Sequence, residues 1–397
     1  MEINQGPKNA SIQFEFRPLG LDTELLASIF LASLTMTLIK NNVRQKAQGR
    51  WHWIFTSLLA LTFASTSLSV TTAQNTLRVL AWPGYADADL VKVFEQRTGS
   101  RVEVTFIDND EQLWQRVNQN GAQDFDVFAV NTAELQRYIA RNLVTPINAT
   151  NIPNIVKQQA RFHNADMIPG LVHSGKRYAV PYTYSEMGLI YDRLQIDTPP
   201  TSIAALWDPR YRGKVLLYNG GTHNFSLAAQ VLGNSKPFQL QDKQWPAAVD
   251  RLIALRRNAG GFYKQPDESV ELFKNKLAAL MFANYGSQQV KLLKSAGIDV
   301  GYVIPKEGAL AWLDCWAITA RAQDSSLAHQ WINYMLEPKV GQALLERQGL
   351  ANTTSPSPYL TNNDSIRWLE PVENVTRREQ LWDRIVSGDR ASKVLAP

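Results

Sequence analysis

Trp312-Leu313-Asp314 sets an indole and a carboxylate two residues apart. On a strand, alternate residues share a face, so the two side chains stand together. Such a pair seats an alkylammonium: the carboxylate meets the charge, and the indole face attracts the cation and covers its methylenes. Taken singly, Asp314 also reads as a helix cap or ion-pair partner, and the tryptophan as a packed aromatic. A different chemistry is written at Asn219-Gly220-Gly221-Thr222-His223-Asn224, which leads into a helix beginning near Phe225. Glycine N–H groups at a helix N-terminus can hold an anion, with Thr222, His223 and Asn224 as added donors. The same residues also read as a plain turn with Asn224 as N-cap.

Other chemistries find no support. Cys315 is the only cysteine, which excludes an intrachain disulfide and a thiolate metal cluster, and it reads as a small buried hydrophobe. The five histidines show no HExxH spacing, and the Walker-A, GxSxG and GxGxxG patterns are absent. No cofactor is expected. The net charge of +5 is spread without a like-charge run, which argues against a nucleic-acid partner.

The 397 residues, 45% of them hydrophobic, suffice for two to three domains of roughly 100–200 residues each. Residues 40–50 carry Lys40, Arg44, Lys46 and Arg50 without an acid, residues 54–70 are largely apolar, and Thr71-Thr72-Ala73 follows. That is the order of a secretory signal, with the mature chain starting near Gln74, Met36 as the expected start, and residues 1–73 as extension plus signal. An uncleaved anchor is the alternative. From there the pattern alternates. Residues 76–82, 101–107 and 125–130 read as strands, with Val102, Val104 and Phe106 turned inward. Residues 87–97, 111–118 and 133–141 read as helices between them. Further strands are expected over 178–182 and 188–191, flanking a polar bend, and over 214–218, 278–282 and 300–304. Strands separated by such helices imply βαβ units, hence an α/β fold on largely parallel sheets.

Four segments carry a resemblance in order: Ala81-Trp82-Pro83-Gly84-Tyr85, Trp207-Asp208-Pro209-Arg210-Tyr211-Arg212-Gly213-Lys214, Pro305-Lys306-Glu307-Gly308-Ala309-Leu310-Ala311-Trp312-Leu313-Asp314, and Ile332-Asn333-Tyr334-Met335-Leu336-Glu337-Pro338. Together, across residues 75–395, they resemble the periplasmic spermidine/putrescine-binding proteins of ABC importers. The resemblance implies a two-lobe clamshell, each lobe a mostly parallel sheet flanked by helices, joined by two hinge crossings near 184 and 313. Lobe 1 would comprise 74–183 and 313–350 and lobe 2 would comprise 184–312, with 351–397 packing back on lobe 2. The implied function is that of a monomeric, non-enzymatic periplasmic protein. It would capture a polyamine or similar small amine in the cleft and pass it to a membrane ABC permease, closing about its hinge as it binds.

Within that resemblance, Trp82 and Tyr85 match the family's first aromatic pair, and Trp312 and Asp314 its tryptophan-plus-aspartate motif. Asn131, Tyr184 and Tyr285 complete the candidate set. The sequence also departs from the family. Gly220 and His223 replace two acids of the mid-chain turn, Gly84 replaces another, Asn131 and Ala133 replace a serine and a tyrosine, and a late tyrosine falls at Leu350. Glu186, near the first crossing, is the acid expected to compensate, with a solvated loop residue as its plain alternative. If Gly220, Gly221 and His223 hold an anion instead, the ligand is a zwitterionic amine of amino-acid, betaine or aminophosphonate type. An exported two-lobe enzyme is the remaining class, and it lacks a nucleophile–base pair or a cofactor fingerprint.

Overall fold

The structure is a computed structural model that describes residues 75–275, 278–361 and 364–396. The expected export signal and start lie outside the described residues. The chain runs β1 (Thr76–Ala81), α1 (Ala88–Thr98), β2 (Arg101–Phe106), α2 (Asp110–Asn118), β3 (Val127–Asn131) and α3 (Thr132–Ala140). Short 3₁₀ turns and the small hairpin β4 (Val172–His173) and β5 (Lys176–Arg177) lead to β6 (Ala179–Met187) and β7 (Leu189–Asp192). Then come β8 (Val215–Tyr218), α4 (Gly221–Val231), α5 (Trp245–Asn258), β9 (Ala259–Tyr263), α6 (Pro266–Lys274), β10 (Leu280–Phe282), α7 (Ser287–Ser295), β11 (Val300–Val303) and β12 (Ala309–Ile318). The chain closes with α8 (Ser325–Met335), α9 (Pro338–Gln348), β13 (Ala351–Asn352), β14 (Ile366–Trp368), α10 (Val375–Val386) and α11 (Ala391–Val394).

Two sheets organise the α/β clamshell. The first has the order β13-β6-β12-β3-β1-β2 with β14 added beside β12, and the second the order β11-β7-β10-β8-β9. Parallel pairing holds within the βαβ units, as in β1 with β2 and β3 and in β8 with β9 and β10. Largely parallel sheets were expected, but both are mixed. The strands that carry the chain between the sheets, β6, β7, β11 and β12, lie antiparallel to their neighbours, apart from β14, which runs parallel to β12. A strand that enters a sheet from the other lobe comes without a crossover helix to turn it parallel.

All nine residues of β6 are buried, so its polar centre, Thr183-Tyr184-Ser185-Glu186, is strand rather than the expected bend. Neighbours on both edges supply its ladder bonds, and a hydrophobic core lies on each face. Pro181 has no N–H to give a central ladder, and the β6–β12 register slips beside it, between Asp314 and Cys315. By sheet membership the chain leaves the first sheet at Gly188 and re-enters it between Val303 and Ala309, where 184 and 313 were expected. The C-terminal stretch divides: β13 and β14 extend the first sheet, while α10 and α11 pack on α4 and α5 beside the second. Phe106 is exposed because β2 is an edge strand.

Hydrophobic cores cover both faces of each sheet. Phe94, Trp316 and Trp331 centre one face of the first sheet, and Phe128, Tyr138 and Phe162 the other. Phe225, Trp245 and Trp382 lie on one face of the second, and Tyr263, Met281 and Leu293 on the other. Trp312 touches the cores of both lobes.

Candidate functional site

Asp314 is nearly buried on β12, and one oxygen accepts the Tyr85 hydroxyl at 2.6 Å. Tyr85 reaches it from the turn after β1, whose backbone closes on Trp82 O at 3.1 Å. Burial pushes the Asp314 carboxyl up to about 7, and the Tyr85 hydrogen bond opposes the rise. Trp82, half-buried at the end of β1, packs against the cores on both faces of its sheet.

Asn131 lies opposite Asp314 in the β3–β12 ladder. Its side chain caps α3 by accepting from Glu134 N at 2.9 Å, and its amide donates to Asp110 Oδ1 at 3.0 Å. Asp110 opens α2 and is thereby held close to Asp314. Burial, reinforced by the charges of Glu134 and Asp314 and opposed by Arg137, pushes its carboxyl up to about 7. Two carboxyls poised near neutrality therefore belong to the first lobe.

The second lobe answers with aromatic and acceptor groups. Tyr218 ends β8 and meets Tyr285 edge-on at 6.0 Å and His223 at 5.7 Å. The Tyr285 hydroxyl donates to Lys264 O at 2.7 Å, which fixes its ring. His223 Nδ1–H donates to Asn284 Oδ1 at 2.7 Å, and the Trp312 indole N–H donates to Asn284 O at 3.3 Å. One asparagine thus joins the two lobes across the site. Burial lowers the His223 pKa, so the ring is neutral and Nε2 is an acceptor.

Between the lobes is a cavity of about 1210 Å³, bordered by Asp110, Asn131, Tyr218, Gly220, His223 and Glu379 among others. Five carboxylates border it (Asp110, Glu111, Glu134, Glu370, Glu379) against one guanidinium, Arg137. That guanidinium is itself engaged, 2.8 Å from Glu134 and stacked on Trp114 at 4.4 Å. The cavity suits a cation. Among the described residues no group of His, Cys, Asp and Glu is arranged to hold a metal ion.

Three expectations need correction. α4 begins at Gly221, four residues before Phe225, and Gly220 rather than Asn224 is its N-cap; Asn224 instead donates to Tyr218 O and Gly220 O. The donors of Gly221 and Thr222 are also already taken. Glu379 of α10 accepts from Gly221 N (2.9 Å), Thr222 N (2.8 Å) and Thr222 Oγ1 (3.0 Å). A Cβ on Gly221 would lie 2.3 Å from Arg378 O, so glycine is what lets α10 approach. Finally, Tyr184 and Glu186 face away from Asp314. Tyr184 packs on Phe162 and Trp368, in the core on the far side of the first sheet. Glu186 is wholly buried, with Ser357 Oγ donating to one oxygen at 3.3 Å, and burial pushes it up to about 7. Alternation along β6 puts 184 and 186 on the face opposite the site.

Asp110, Tyr218, Asn284 and Glu379 belong to the site but escape a reading of the sequence. Asn109-Asp110-Glu111 reads only as a helix start, and Glu379 lies 158 residues beyond Gly221 with no local pattern to link them. The expected Cys315 is wholly buried.

A family model described as bacterial extracellular solute-binding protein matches residues 89–363. The chain is 26% identical over 301 residues to a spermidine/putrescine-binding periplasmic protein of Salmonella typhimurium, covering 74% of this chain and 83% of that one. It is 25% identical over 309 residues to a putrescine-binding periplasmic protein of Escherichia coli, covering 73% and 80%. Its fold matches a spermidine/putrescine ABC transporter substrate-binding protein of Streptococcus pneumoniae with a TM-score of 0.66 at 20% identity, over 81% of this chain and 99% of that one. A Treponema pallidum lipoprotein matches with a TM-score of 0.67 at 16% identity, over 79% and 99%. With its two-sheet architecture and interlobe cavity, the chain belongs to the bacterial extracellular solute-binding protein family.

Proposed function

We propose that the cleft captures a short polyamine of the putrescine type outside the cytoplasm and that the protein hands it, unaltered, to a membrane ABC permease. The observation that carries this is the placement of Asp314: nearly buried, tied by one oxygen to Tyr85, and opposite Asn131 on the neighbouring strand, which itself borders a cavity lined by five carboxylates and one engaged guanidinium. An ammonium entering there meets the ionised carboxylate of Asp314, with Asp110 close by. The tryptophans Trp82 and Trp312 and the tyrosines Tyr218 and Tyr285 offer faces for methylenes. On the second lobe the neutral His223 presents Nε2 as an acceptor, which suits an N–H donor. The names of the curated relatives point to the same ligand class.

Isothermal titration calorimetry with putrescine, cadaverine and spermidine, followed by mass analysis of the recovered ligand, tests the proposal. Saturable binding with the amine recovered intact is the expected result. Conversion of the amine, or no binding of any of the three, overturns it. N-terminal sequencing of the secreted form, expected near Gln74, tests the extracytoplasmic placement.

A further inference from the structure

We infer that Glu379, delivered by the C-terminal helix α10, is a specificity-determining residue of the cleft: it makes the second-lobe end of the site accept an ammonium and exclude a carboxylate. The inference rests on the amine-binding reading above and adds the means by which the site tells a diamine from an amino acid of equal length.

α4 starts at the cleft, and its first N–H groups carry the positive end of the helix dipole. Left open, that end favours an anion. Glu379 accepts from Gly221 N, Thr222 N and Thr222 Oγ1, so a carboxylate of the chain's own occupies those donors. The helix α10 is fixed in place by its neighbour Arg378, which is wholly buried. Its guanidinium donates twice to Glu373, at 2.8 Å each, and to Thr222 O, Ser226 Oγ and Pro237 O. With Arg378 and Glu379 both bonded to the first turns of α4, Glu379 cannot withdraw without breaking that set. Glu379 also borders the interlobe cavity.

The effect reaches the neighbouring rings. After burial, the charge of Glu379 is the largest influence holding the Tyr218 hydroxyl protonated, and it also acts on His223. His223 in turn is fixed by Asn284 with its acceptor nitrogen available. A ligand carboxylate arriving beside Gly220 and His223 would therefore meet a carboxylate and a lone pair, with the donors of Gly221 and Thr222 already taken. An ammonium would meet the same groups as partners. One end of the ligand is thus read by Asp314 in the first lobe and the other by Glu379 in the second.

The test uses putrescine and 4-aminobutyrate, which share their length and one ammonium and differ in the charge of the other end. Calorimetry on the wild-type protein is expected to show putrescine bound at least a hundredfold more tightly. In Glu379→Ala the three donors are freed, and that ratio should fall at least tenfold, through gain of 4-aminobutyrate as well as loss of putrescine. Glu379→Gln keeps an acceptor for the helix cap, so it serves if the alanine variant does not fold; here too the ratio should narrow by about tenfold. A wild type that binds putrescine while both ratios stay unchanged overturns the assignment of Glu379 and leaves amine binding standing. A wild type that binds neither compound overturns the amine reading and this inference with it.

Discussion

Replacing Asp314 by asparagine should make the ligand-free protein more stable and the binding protein worse, and the two effects are separable. Burial holds the Asp314 carboxyl at about 7, against an ordinary value of 3.8, so the ionised form is disfavoured in its site by roughly 4 kcal/mol. Because the folded state holds the proton more tightly than the unfolded chain, its contribution to stability is full below about pH 4. That contribution falls as the pH climbs to about 7 and is flat above. Asparagine never ionises and can still accept the Tyr85 hydroxyl. Asp314→Asn should therefore melt like wild type near pH 4 and above it at pH 8, by an amount whose upper limit is the same roughly 4 kcal/mol.

Binding changes in the opposite direction. A hydrogen bond from an ammonium to a carboxylate is worth about 1.5–3 kcal/mol, so putrescine affinity at pH 8 should fall roughly ten- to a hundredfold or more. Below pH 7 the wild type must release a proton to bind, and its affinity should weaken about tenfold per pH unit, a slope that the variant lacks. Calorimetry at pH 6 and 8, with thermal melts of the ligand-free proteins across the same range, reads both effects. If the variant binds as tightly as wild type, or melts several degrees lower at pH 8, Asp314 is a structural acceptor for Tyr85 and the reasoning fails.

Tyr85→Phe removes the one hydroxyl that steadies the Asp314 carboxylate; its carboxyl should titrate higher, and putrescine affinity at pH 7 should drop roughly tenfold. Glu186→Gln should leave calorimetric affinity within about threefold, since that side chain lies on the far face of its sheet. Burial raises the Glu186 carboxyl to about 7, so the variant should melt higher than wild type at pH 8 and alike near pH 4. A loss of diamine binding in it would return Glu186 to the site. Gly221→Ala drives a Cβ against Arg378 O and should destabilise by ~1–3 kcal/mol in chemical denaturation; an unchanged midpoint would mean that α10 is free to shift. Trp312→Ala should weaken putrescine binding by at least tenfold, through lost cation–π contact and the lost bond to Asn284 O. Wild-type affinity in that variant would remove the indole from the site.

What the sequence determined is local. Hydrophobic alternation and helix spacing placed β1, α1, β3 and α3 within a residue or two, because burial of one face acts over a few residues. The Trp312–Asp314 pair was legible for the same reason, since two positions on one strand share a face without help from the fold. Where the burden moved to distant segments the sequence was silent. The polar run from Thr183 to Glu186 reads as a bend, and it becomes buried strand only because β12 and β13 pair with it. The glycine turn reads as an anion seat because helix start and glycines are both local signals. That reading is reversed by Glu379, a residue brought to the turn by the packing of α10 on α4. Asp110 looks like any acid in a first helical turn, and it becomes a site residue through Asn131, which stands opposite Asp314 across the β3–β12 ladder. Which charges face one another across a cleft is set by long-range packing, and residue-to-residue spacing along the chain carries no record of it.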